Sequence, residues 1–235
     1  MIVKINLTIA NAYLIKGPKA VLVDTGAPGS APKILQALAK EGIAPESLAL
    51  ILLTHAHSDH AGSAAELRRL TGAPVAVHAG DAAMLRRGSN GVMLPIGVEA
   101  RLSQRFVDRP FPGLEPDITL QDTSDLGALG VAARLLTTPG HSPGSISLVF
   151  EDGAAIVGDI LRGGLMGGAI WSGRPNYPYF LYDMADKATL HASVAQVLAA
   201  GAETFFTGHG GPLVRQDVLR WLHGRYPATT LSTSP

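Results

Sequence analysis

The chain has 235 residues, 46% hydrophobic and 16% charged, with a formal net charge of zero. That is enough apolar material for one large core in a layered α/β domain, and the lack of a basic excess argues against a nucleic-acid partner. There is no cysteine, so disulfides and thiolate ligands drop out, and no apolar run approaches the roughly 18 residues of a membrane span.

Met1-Ile2-Val3-Lys4-Ile5-Asn6 alternates like a strand. It lacks a basic start followed by an apolar segment, so no signal peptide is expected and the setting is expected to be cytoplasmic. Strands are predicted near 2–9, 12–16 and 20–24, with turns at Ala10-Asn11 and Gly17-Pro18 between them. Residues 32–40 are amphipathic and stop before Gly42, the pattern of a helix closed by glycine. A buried strand is expected over 48–54, a helix over 61–70 closed by Gly72, a strand over 74–78 and a short helix over 79–87. Strands resume near 118–121, 131–137, 145–150 and 154–158. A long helix is predicted over 183–200 with Asp183 as its cap, then a strand over 203–207 and a helix over 215–223. Strands and helices recur in two halves, which suggests two sheets between helical layers. Residues 1–226 are expected to form one domain, followed by a loose polar tail over 227–235.

Two stretches resist assignment. Residues 88–117 contain Gly88, Gly91, Gly97, Gly113 and four prolines. Residues 161–182 combine five glycines with Trp171, Tyr177, Tyr179, Phe180 and Tyr182. A glycine-rich backbone with aromatic anchors reads as a substrate-shaping loop. The alternative is a flap that packs on the core or on a second copy of the chain in a homodimer. Arg162 and Arg174 in this stretch are candidates to recognise an anionic group, with ordinary surface arginines as the alternative.

The densest chemistry is His55-Ala56-His57-Ser58-Asp59-His60, which holds three of the eight histidines. Imidazoles and a carboxylate packed this closely need something to offset their desolvation and repulsion, and a metal ion does so. At a strand end, residues i and i+2 point the same way, so His55 and His57 can grip one ion. Asp59 and His60 follow as the chain turns into a helix and would face a second ion. A zinc-like ion takes about four ligands. Three further candidates follow apolar runs in glycine turns: Gly140-His141, Gly158-Asp159 and Gly208-His209. His141 would complete the set of His55 and His57. His209 would join Asp59 and His60. Asp159, with two oxygens, can bridge both. His78, at a strand end, is a weaker candidate for the cleft wall, and His191 and His223 read as surface or packing residues.

These motifs resemble the metallo-β-lactamase superfamily of dinuclear metallohydrolases. Five elements stand in the family's order: Asp24 in Leu22-Val23-Asp24-Thr25-Gly26, the cluster from His55 to His60, His141, Asp159 and His209. The resemblance implies a four-layer αββα sandwich of two mixed sheets flanked by helices. It implies two divalent ions, zinc first, with iron or manganese suited to the same donors. It makes Asp24 a residue that orients the ligand loops instead of binding metal. The expected activity is hydrolysis by a water shared between the ions, with Asp59 as proton carrier. No Gly-x-Ser-x-Gly elbow offers a rival nucleophile.

The bridging position carries Asp159, where β-lactamases of the superfamily do not usually place aspartate, so β-lactam hydrolysis is not the expected role. N-acyl homoserine lactonases place a tyrosine three residues after the bridging aspartate, where this chain has Arg162. Glyoxalase II enzymes carry a C-terminal helical region with basic glutathione-binding residues, and no such region is evident here after His209. A small ester, thioester or lactone is the expected substrate. A mononuclear iron sulfur dioxygenase using His55, His141 and Asp159, a phosphodiesterase, and a binding member without turnover are the alternatives.

Overall fold

The computed structural model describes residues 1–183 and 187–225. The expected tail over 227–235 and positions 184–186 of the predicted 183–200 helix lie outside the described residues. In chain order the elements are β1 (Ile2–Asn6), β2 (Asn11–Ile15), β3 (Ala20–Val23), α1 (Ala31–Lys40), β4 (Leu48–Leu52), α2 (Ser58–Ala61), α3 (Ala64–Thr71), β5 (Val75–His78) and α4 (Ala79–Arg87). Then come β6 (Leu94–Pro95), α5 (Gly97–Val107), β7 (Ile118–Leu120), β8 (Arg134–Thr137), β9 (Ile146–Val149), β10 (Ala154–Gly158), β11 (Arg162–Leu165) and β12 (Ile170–Asn176). The last are β13 (Phe180–Leu181), α6 (Lys187–Ala199), β14 (Thr204–Thr207), β15 (Leu213–Val214) and α7 (Arg215–Arg225).

The strands form two main sheets, ordered β1-β2-β3-β4-β5-β7 and β15-β14-β10-β9-β8. Both are mixed: β3, β4, β5 and β7 run parallel and β1 to β3 antiparallel, while β10 and β14 form the parallel pair of the second sheet. Sheets covered on both faces read as continuous apolar runs instead of alternating ones, and β4 (Leu-Ala-Leu-Ile-Leu) shows why. Leu50 and Leu52 join Val21 and Val23 against Leu135, Ile146, Leu148 and Ile156 of the second sheet. Their neighbours Leu22, Ile51, Val75 and Val77 face the other way, onto Ile34, Leu38, Leu67 and Leu85 of α1, α3 and α4. On the far side, Ala155, Val157 and Phe205 pack on Leu190, Val194 and Val197 of α6 and on Val218 and Trp221 of α7. Four layers result, each large apolar side chain adding about 1.5–3 kcal/mol through burial. Among the described residues no helix is long and apolar enough to cross a membrane.

Three expectations need correction. The helix predicted over 61–70 is two helices, α2 and α3, broken at Gly62 and Ser63. There the Ser63 hydroxyl donates to Ala27 O at 2.7 Å and accepts from Ser30 N at 2.9 Å, fastening the break to the turn before α1. The stretch 88–117 contains the eleven-residue helix α5. Its prolines flank the helix, and the exposed Val98 and Leu102 blur the apolar stripe by which a helix is recognised. The stretch 161–182 is not an irregular loop. Its glycines allow close backbone approach, so β11 and β12 pair as a hairpin, and β13 pairs with β6.

Candidate metal centre

The candidate ligands converge where strands of both sheets end. Just past β4 the chain delivers His55 and His57, and α2 presents Asp59 and His60. His141, Asp159 and His209 follow β8, β10 and β14. The two halves are tied at this edge by Ile146 N donating to Thr54 O and Asn11 N to Gly208 O. His55, His57 and His141 form one group of donors, Asp59, His60 and His209 another, and Asp159 joins His55 and His60 in a third. The Asp159 carboxylate stands 3.0 Å from His209 Nε2, 3.5 Å from His60 Nε2 and 3.7 Å from His141 Nε2, between the first two groups. Close packing here needs the glycine of Gly208: a Cβ on it would lie 2.0 Å from Asp159 Oδ1.

Hydrogen bonds fix the imidazole tautomers. His60 Nδ1 donates to Asp24 Oδ2 at 2.9 Å, His141 Nδ1 to Phe180 O at 2.7 Å and His209 Nδ1 to Ile9 O at 2.8 Å. Thr54 Oγ1 donates to Asp24 Oδ2 and therefore accepts from His55 Nδ1, at 3.0 Å. In the neutral rings every Nε2 lone pair of these four histidines then points inward, as metal ligation requires. His141 Nε2 lies 3.2 Å from His55 Nε2 and 2.8 Å from His57 Nδ1. His60 Nε2 and Asp159 Oδ1 are buried with no hydrogen-bond partner among the described residues. Buried polar atoms left without partners are costly alone and become favourable as ligands around cations. The residues present fit two divalent ions.

Burial and neighbouring charges divide the histidines. Burial lowers His57 to about 3 and drives His55 and His141 below the usual histidine range. Burial also opposes protonation of His60, but Asp159, Asp59 and Asp24 outweigh it and raise its pKa to about 9. The same contest, with Asp159 dominant, raises His209 well above its ordinary value. Burial pushes Asp59 and Asp159 upward, yet His60 and His209 hold both well below the usual carboxylate range.

His57, Asp59, His141, Asp159 and His209 floor a cavity of about 350 Å³, walled by Ile9, Met93, Val107, Met166 and Phe180 among others. Tyr179 and Phe180 of the aromatic stretch line it, whereas Trp171, Tyr177 and Tyr182 do not. Trp171 is exposed, with Arg174 stacked 4.9 Å from its ring centre. Tyr177 packs on His191 and Trp221 behind the site, and Tyr182 is exposed. Arg162 is buried, and its guanidinium donates to Tyr177 O, Gly164 O and Glu99, so its donors are turned inward. His78 caps α4 and pairs with Asp122 instead of lining the cleft. His191 contacts Tyr177 in α6, and His223 is exposed on α7.

Asp24 accepts from His60, Thr54 N and Thr54 Oγ1 while itself adopting a φ of 62°. Asp81 was not legible. Fully buried, it accepts from Ala56 N at 2.9 Å, Gly144 N at 2.7 Å and Ser142 Oγ at 2.7 Å, clamping the His55–His57 loop to the His141 loop. A carboxylate in the first turn of a helix ordinarily reads as a partner of the helix dipole, so nothing marked it. Glu99, which lines the cavity, gave no signal either.

The model of the Metallo-beta-lactamase superfamily matches residues 5–209. The probable metallo-hydrolase YqgX of Bacillus subtilis is 33% identical over 160 residues, covering 66% of this chain and 68% of that protein. A hydroxyacylglutathione hydrolase of Anaeromyxobacter dehalogenans is 33% identical over 148 residues, 63% of this chain but only 44% of the relative, so the chain spans less than half of it. Among solved structures, the BLEG-1 B3 metallo-beta-lactamase superposes with a TM-score of 0.65 at 26% identity, covering 92% of this chain and 95% of that one. With the family's motifs in order, its layers in place and its ligand positions brought to one edge, the chain belongs to the metallo-beta-lactamase superfamily.

Proposed function

We propose that the protein is a dinuclear metal-dependent hydrolase acting on a small ester, thioester or lactone. The observation that carries this reading is the pair of donor groups on either side of one carboxylate, Asp159, at the floor of a largely apolar cavity. His55, His57 and His141 would hold one ion, Asp59, His60 and His209 the other, and Asp159 would serve both. When bound, two such ions supply Lewis acidity for a substrate oxygen and a water deprotonated near neutral pH.

The chain's own residues do the rest. Asp24 fixes the His60 ring, and Phe180 O and Ile9 O fix His141 and His209. Asp59 reaches the cavity with its carboxylate 3.2 Å from His209 Nε2, which places it to exchange a proton with the attacking water. Met93, Val107 and Phe180 give the cavity an apolar wall. The relatives named as metallo-hydrolase and hydroxyacylglutathione hydrolase support the reaction class. The second group, Asp59 with His60 and His209, supplies donors for a second ion beyond those that the mononuclear iron alternative uses.

The test is turnover of a neutral ester, a thioester, a lactone, a phosphodiester and a β-lactam by zinc-loaded protein. Hydrolysis of at least one of the first three, lost on chelation and restored by zinc, is expected. Turnover of none of them, or turnover that survives metal removal, would overturn the reading, as would oxygen uptake with a persulfide by iron-loaded protein.

A further inference from the structure

The cavity wall opposite the metal ligands carries one acidic side chain, Glu99 of α5. Its Oε1 accepts from Met166 N at 2.6 Å and from the Tyr179 hydroxyl at 2.9 Å, and its Oε2 from Arg162 Nη2 at 3.1 Å. Arg162 also donates through Nε to Tyr177 O at 2.8 Å and through Nη1 to Gly164 O at 2.6 Å, and stacks 4.0 Å from the Tyr179 ring centre. The cation is 5% exposed, and its fork is spent within the protein. Among the described residues lining the cavity there is no lysine or arginine.

The wall thus presents a carboxylate whose counter-ion is out of a substrate's reach. Most of the remaining wall is apolar, with Ile9, Met93, Val107, Met166 and Phe180, and its other polar side chains, Thr8, Ser103 and Tyr179, are uncharged hydroxyls. A substrate arm with its own carboxylate would be desolvated beside Glu99 with no lysine or arginine on the wall to receive it, a repulsive element of the kind that makes sites selective. An apolar arm would meet Ile9, Met93, Val107, Met166 and Phe180 and bring no uncompensated charge of its own. We infer that the cavity selects substrates whose non-reacting part is apolar and uncharged, and that Glu99, locked by Arg162 and Tyr179, turns carboxylate-bearing substrates away. This rests on the hydrolase reading above and names the substrate class for that site.

The experiment compares p-nitrophenyl hexanoate with the mono-p-nitrophenyl ester of adipic acid, chains of matched length differing by a terminal carboxylate, on zinc-loaded full-length protein. Wild type should favour the hexanoate in kcat/KM by about tenfold or more, mostly through KM. Glu99→Gln should cut that preference by about tenfold, because Arg162 then lacks its carboxylate while the other contacts of residue 99 survive. If Glu99 only pins the hairpin, the substitution slows both esters alike and leaves their ratio unchanged, which would overturn the inference. A wild-type ratio near one would do the same. Calorimetric binding of hexanamide and adipic acid monoamide reads the selection without turnover. If both esters resist cleavage while hexanamide alone binds wild type and the amides converge in Glu99→Gln, the selectivity stands, and the hydrolase reading is decided separately by turnover of the ester, thioester and lactone panel. Equal binding of the two amides to wild type would sink the selectivity regardless of turnover.

Discussion

Asp81→Ala removes a buried carboxylate that joins the two loops carrying His55, His57 and His141. In the native protein Ala56 N, Gly144 N and Ser142 Oγ all donate to this carboxylate, which is 0% exposed. Alanine leaves two buried N–H groups without acceptors, at about 1–3 kcal/mol each, or about 2–6 kcal/mol together. Ser142 loses less, because its hydroxyl keeps Ser145 Oγ at 2.8 Å. Part of the loss is returned, since burial holds the Asp81 carboxyl above its ordinary pKa and removing it relieves that penalty. The expected net destabilisation is about 2–4 kcal/mol, which most domains of about 5–15 kcal/mol total stability survive folded. Urea unfolding of the metal-free protein at pH 7 measures it as a lower midpoint at unchanged slope. Because Ala56 sits between two histidines of the site, zinc affinity should fall by about tenfold to a hundredfold as well. A loss under about 1 kcal/mol with unchanged zinc affinity would refute the clamp and the accounting behind it.

Gly208→Ala puts a Cβ within 2.0 Å of Asp159 Oδ1 and 2.5 Å of His60 Cε1. It should lower bound metal below wild type in a protein with native circular dichroism, and a full metal complement would show that the close approach is not needed. Zinc binding at pH 7 should release protons, measurable as buffer-dependent calorimetric heat, because His60, at about 9, and His209, well above its ordinary value, hold protons in the metal-free site. The sign follows: the affinity of the Asp59, His60 and His209 group rises with pH up to about 9, whereas that of His55, His57 and His141, already neutral, changes little near neutrality. Heat independent of the buffer would contradict this.

The site was legible where its signal is local. His55 to Asp59 and His60 are spaced by backbone geometry alone, and His141, Asp159 and His209 each sit beside a glycine after an apolar run. The layers were legible because β4 and β10 are apolar on both faces. What could not be read depends on chain segments far apart. Asp81 reaches Gly144 across 63 positions and Glu99 reaches Arg162 across 63, and neither residue stands in a pattern of its own. The hairpin of β11 and β12 was hidden by its glycines, which signal irregularity in a sequence but here admit a second backbone. The aromatics were read as a set, yet Tyr179 faces the cavity while Tyr177 packs behind it on Trp221, a difference set by packing between distant segments.

The central claim is that two ions share this site. Elemental analysis of protein purified without added metal or affinity nickel, repeated after zinc reconstitution, counts them directly. Close to two divalent ions per chain, zinc or zinc with iron, is the predicted result. A single ion after reconstitution would contradict the dinuclear account, and none would show that the histidine cluster is not a metal centre.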